Sequence, residues 1–105
     1  MPLFRRRPTT IEARQFTGGA ESATPIIDWV LAGGGTATWM EAHQVGIAPY
    51  RPDDINEIVV MERISLRTLE GTIYVSVGDW VIKGTAGEFY PCKPEIFADV
   101  YEPLE

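Results

Sequence analysis

"GDWVIKGTAGEFYPCKPEIF", residues 78–97, is the stretch on which the fold turns. Gly78-Asp79 is a turn signal that ends one strand and begins another. "DWVIK" and "EFYPC" flank the link "GTAG" (84–87), whose two glycines permit a tight reversal. Pairing Lys83 with Glu88 sets opposite charges across the hairpin mouth. That register puts Trp80, Ile82 and Phe89 on one face and Val81, Tyr90 and Cys92 on the other. Pro91 removes a ladder donor, so the second strand ends there or lies at an edge. A short helix is expected from Pro94, with Ile96 and Phe97 tucked under the sheet.

Moving toward the N-terminus, "EIVVMERISLRTL" (57–69) and "TIYVSV" (72–77) read as two strands joined at Glu70-Gly71. Glycine in the second turn position suits a type I′ hairpin. With Leu69 opposite Thr72, Leu66 faces Val75 and Ile64 faces Val77, giving one apolar face. The other face carries Ser65, Arg67, Tyr74 and Ser76, with Arg67 across from Tyr74 as a cation–π pair. "TPIIDWVLAGGG" (24–35) predicts a helix over about 25–32. Thr24 fits the N-cap, Pro25 the first helical position, and Gly33–Gly35 end it. Ile26 with Val30, and Ile27 with Leu31, form its apolar stripe, and Trp29 lies between them. "PTTIEARQF" (8–16) alternates as a strand, with Ile11, Ala13 and Gln15 on one face. Further strands are expected around 36–41 and 44–48, and "YRPDDIN" (50–56) reads as a loop.

The chain has 105 residues and is 45% hydrophobic, enough for a single autonomous core. Its four Phe, four Tyr and three Trp argue against disorder. One cysteine excludes an internal disulfide framework, and a free thiol suits a reducing compartment. "MPLFRRRPTT" begins like a signal peptide, but no apolar core follows, and no run reaches the ~20 residues of a membrane span. The expectation is an untargeted protein of a reducing cytoplasm, with no membrane partner. The net charge of −6 is unevenly placed. Residues 1–14 carry four arginines against one glutamate, while the rest carries five basic and fourteen acidic side chains. So acidic a body repels phosphate backbones, which argues against nucleic acid as a partner. Arg5–Arg7 reads first as a solvated end and second as an anion contact.

Chemistry is sparse. "AGGGTATW" (32–39) lacks the Lys-Ser/Thr ending of a phosphate loop. His43 is the only histidine, too little for a triad or a metal cluster. Asp53, Asp54 and Glu57 lack the spacing and glycine of a calcium loop. Lys93 beside Cys92 is a feature that lowers a thiol pKa, yet no His or Asn stands near, so a structural thiol is expected. No catalytic residue, metal or cofactor is implied. Lys83, Glu88, Tyr90 and Lys93 remain as candidate binding residues, and Trp39 and Tyr50 as exposed aromatic anchors for a protein partner.

"TLEG" (68–71), "GDWVI" (78–82), "GEFYPCKPEIF" (87–97) and the closing Tyr101-Glu102 resemble a family of small proteins encoded by phages and prophages of Gram-positive bacteria. "RRRPTTIEARQF" (5–16) is similar to that family's start, and residues 17–56 match nothing in it. The resemblance implies an accessory protein outside the virion, located in the host bacterial cytoplasm. The expectation is therefore a single α+β domain: a small twisted antiparallel sheet or partly closed β-barrel, one packed helix (about 25–32) and a short C-terminal helix. The function expected is non-catalytic binding and modulation of a host protein. The alternative is a small-ligand or nucleotide-messenger binder, with Trp80 or Tyr90 stacking a base and Lys83, Lys93 or Arg5–Arg7 holding phosphate, completed across a homodimer interface. A small enzyme of unknown reaction is the second alternative.

Overall fold

A computed structural model describes residues 2–4, 9–46 and 57–104. The predicted tip of the middle loop, with Tyr50, Asp53 and Asp54, and the Arg5–Arg7 run lie outside the described residues. In chain order the elements are β1 (Glu12–Gln15), α1 (Gly19–Ala32), β2 (Thr36–Met40), β3 (His43–Gly46), β4 (Glu57–Val60), β5 (Arg63–Thr68), β6 (Gly71–Ser76), β7 (Trp80–Lys83), β8 (Phe89–Cys92) and α2 (Pro94–Val100). The fold is α+β, and all strand pairs are antiparallel. The strands form three small sheets rather than one sheet or a partly closed barrel: β1-β7-β8, β2-β5-β6 and β3-β4. None closes, because each has free edges.

α1 starts six residues earlier than the pattern of caps suggests. Thr24 is no N-cap; its Oγ1 donates to the Ala20 carbonyl within the helix, and Pro25 sits inside it. The helix begins at Gly19 without a side-chain cap of its own. Instead the Gly19 N–H donates to Glu62 Oε2 at 2.7 Å, from the far side of the sequence. Ala23, Ile26 and Val30 are its buried stripe; Ile27 and Trp29 pack beside it, while Leu31 is half exposed. The core lies where α1, the inner face of β2-β5-β6 and one face of β1-β7-β8 meet. It holds Phe16, Ile64, Leu66, Val75, Val81 and Phe89.

Both hairpins differ in register from the sequence reading. In β5–β6, Leu66 faces Ile73, Ile64 faces Val75 and Thr68 faces Gly71, a shift of two residues. Leu69 and Glu70 form the turn with negative φ, so it is not type I′; Gly71 follows at φ 116°. The Thr68 hydroxyl holds the turn, donating to the Gly71 carbonyl and accepting from the Glu70 N–H. The cation over Tyr74 is consequently Arg63, at 3.9 Å, and not Arg67. In β7–β8 the shift is one residue: Lys83 pairs with Phe89 and Ile82 with Tyr90. A single-residue slip exchanges faces, so Phe89 joins Val81 and Lys83 toward α1. Trp80, Ile82, Tyr90 and Cys92 share the face covered by α2.

β2–β5 and β3–β4 are one ribbon. Thr36 pairs with Arg67, Met40 with Arg63 and His43 with Val60, so the register runs unshifted across the break at 41–42 and 61–62.

Candidate functional site

The second face of β1-β7-β8 carries an aromatic stack and an open groove. Trp80 lies stacked on Phe97 of α2, with ring centroids 4.0 Å apart and planes within 4°. Phe97 in turn touches Tyr101 at 5.0 Å. The aromatic spacing makes this possible: Phe97 and Tyr101 stand at i, i+4, so both face the sheet. Beside the stack runs an open groove of about 1030 Å³, bordered by Thr9 and Ile11 ahead of β1, by Trp80, and by Val100, Tyr101 and Leu104. A smaller recess of about 340 Å³ adjoins it, with Glu88, Tyr90 and Tyr101 in its wall. No described Lys or Arg lines either one; Glu88 and Glu102 do.

The outer side of α2 is apolar and acidic. Ile96 and Val100, at i, i+4, are 53% and 52% exposed, and Leu104 is 74% exposed. Ile96 is thus not tucked under the sheet; only Phe97 is. Glu95, Asp99 and Glu102 are exposed beside them, and no cation occurs between Pro94 and Leu104.

The structure separates most of the residues singled out from sequence. Glu88 and Tyr90 meet in the smaller recess. Lys83 belongs to the opposite face, 5.9 Å over the Phe89 ring, and does not oppose Glu88. Lys93 is paired with Asp79, its Nζ 3.2 Å from Oδ2. Trp39 is packed against the core rather than exposed, and its indole N–H donates to Glu62 Oε2 at 2.7 Å. Tyr50 lies outside the described residues. His43 is exposed, with Nδ1 3.1 Å from the Glu41 carbonyl. Among the described residues, no group of three or more His, Cys, Asp or Glu is placed to hold a metal ion. No helix there is long and apolar enough to cross a membrane.

Cys92 is half-buried on the α2 side, its Sγ 3.6 Å from the Lys93 carbonyl. Burial pushes the thiol pKa up, and the nearby carboxylates of Asp79 and Glu95 push it further the same way. That is the reverse of what a nucleophile needs.

Two organising residues were missed. Asp79 is 4% exposed; its carboxylate accepts the Ser76 N–H at 3.0 Å and the Lys93 ammonium, while its carbonyl accepts the Phe16 N–H. The Gly-Asp turn signal marked the place without the role. Glu62 joins the α1 start to Trp39. The sign of it was a carboxylate on the same strand parity as Ile64 and Leu66, where the pattern asks for an apolar residue.

No family model, curated protein or solved structure matches this chain.

Proposed function

We propose that the protein is a non-catalytic binding protein that docks a host protein through the acid-rimmed apolar surface made by α2 and its groove. One observation carries this: Ile96, Val100 and Leu104 stand exposed together, with Glu95, Asp99 and Glu102 around them and no cation within the segment. An apolar centre with a charged rim is how protein interfaces are built. The matching partner is a surface with an apolar pocket and lysines or arginines around it, drawn in by opposed potentials. The resemblance of residues 68–71, 78–82, 87–97 and Tyr101-Glu102 to phage and prophage proteins supports reading that partner as a protein of the bacterial host, and the chain as a phage accessory protein acting in the host cytoplasm. A small anionic ligand is less well served. Of the cations it would draw on, Lys83 lies on the other face, Lys93 is in an ion pair and Arg5–Arg7 lie outside the described residues, and Trp80 has one ring face covered by Phe97.

The test is capture from host lysate on immobilised protein, followed by a salt ramp. The reading expects a basic host protein that elutes as salt screens the rim charges. Recovery of no host protein, or of one whose retention ignores salt, counts against it.

A further inference from the structure

Leu3 and Phe4 are 95% and 93% exposed, the most exposed pair of adjacent large apolar side chains among the described residues. Three arginines follow them directly in sequence. Two bulky apolar groups next to a block of positive charge make a short segment suited in polarity and charge to an apolar groove with acidic walls. The groove is apolar, floored by an aromatic stack, and carries Glu102 in its wall with Glu95 and Asp99 nearby on α2. The two features are complementary in charge and in polarity, and both stand open in the same chain.

Resting on the docking surface proposed above, we infer that the Leu3-Phe4 segment of one copy occupies the α2 groove of a second copy. The groove holds neither residue of its own chain: Thr9 forms part of its wall, yet Leu3 and Phe4 remain almost wholly in solvent. Exchange is reciprocal. Each copy offers one segment and one groove, so two copies satisfy both contacts and close as a two-fold dimer. Five peptide steps separate Phe4 from Thr9, a reach of at most about 17 Å. The dimer covers the surface that would meet the host protein, so self-association and partner capture compete. The concentration of the protein then sets how much binding surface is free.

Sedimentation velocity on the full chain, from low micromolar to sub-millimolar concentration and at low and high salt, tests this. The variant Leu3→Asp with Phe4→Asp changes only side chains already in solvent, so its fold is retained, as circular dichroism will verify. The wild type is expected to pass from monomer to dimer with rising concentration and to dissociate as salt rises. The double variant is expected to stay monomeric and to capture more host protein than the wild type. A wild-type chain that remains monomeric throughout overturns the inference, as does a dimer that the double variant retains. Either result leaves host capture standing as a separate measurement, so failure here is distinguishable from failure of the docking surface itself.

Discussion

Glu62 holds two parts of the molecule with one carboxylate. Its Oε2 receives the first N–H of α1 and the indole N–H of Trp39, each at 2.7 Å. Hydrogen bonds to a charged acceptor are each worth about 1.5–3 kcal/mol; of the two donors, the Trp39 indole is part-buried and the Gly19 N–H is open to water. Glu62→Ala is expected to cost about 2 kcal/mol, most of it at the Trp39 indole, and to lower the melting temperature by about 10 °C. An unchanged melting temperature would show that water replaces the carboxylate at no cost. Cys92 makes the second prediction at this scale. Because its folded pKa is raised, the folded state holds the thiol proton more tightly than the unfolded chain. The resulting stabilisation is intact at neutral pH and is lost as the pH climbs past the ordinary thiol value of about 8.5 toward the raised one. Cys92→Ala should therefore flatten the loss of stability at alkaline pH. Maleimide labelling at neutral pH should be slower for the folded protein than for the protein in denaturant. Fast labelling of the folded form would reopen a nucleophilic role.

Among the elements, the strands and their faces show what a sequence pattern can and cannot settle. In β5–β6 the expected register was two residues off, which preserves parity, so Ile64, Leu66 and Val75 were correctly placed in the core. In β7–β8 it was one residue off, which reverses parity, and Phe89 and Tyr90 exchanged faces. Opposite charges at Lys83 and Glu88 suggested a pairing that packing of Phe89 against Trp29 overrode; those rings meet edge-on at 5.2 Å. The start of α1 was hidden for another reason: its first N–H is satisfied 43 residues away, so no local cap marks it. The end of α1 was legible in its glycines, though not their purpose. A β-carbon at Gly33 would lie 2.6 Å from Cζ of the Phe89 ring, so the helix end and β8 approach as closely as only glycine allows. Gly33→Ala is expected to force that buried ring aside at a cost of about 1–3 kcal/mol, read as a lower denaturant midpoint with an unchanged slope. No change in midpoint would mean the approach is looser than the geometry indicates.

Taken whole, the molecule is extended for its length. Its radius of gyration is 17.7 Å, against about 13 Å for a compact chain of this size. The surface proposed for docking was only partly legible in advance. The sequence pattern points to Lys83, Lys93 and Trp39, yet the fold sets Lys83 on the opposite face, pairs Lys93 with Asp79 and packs Trp39 against the core. The exposed row at Ile96 and Val100 emerges only once Phe97 is seen to take the inward position on Trp80. The account's central claim is that this row is the contact surface. The most direct measurement compares three baits in quantitative capture from host lysate: the wild type, Ile96→Arg with Val100→Arg, and Leu69→Arg, a fully exposed apolar site on the β5–β6 turn. The α2 variant places positive charge where a basic partner would sit, so like charges oppose docking. The account predicts that one host protein is retained by the wild type and by Leu69→Arg, and is lost from the α2 variant while all three melt alike. Equal capture by the α2 variant, or loss on Leu69→Arg instead, would contradict it.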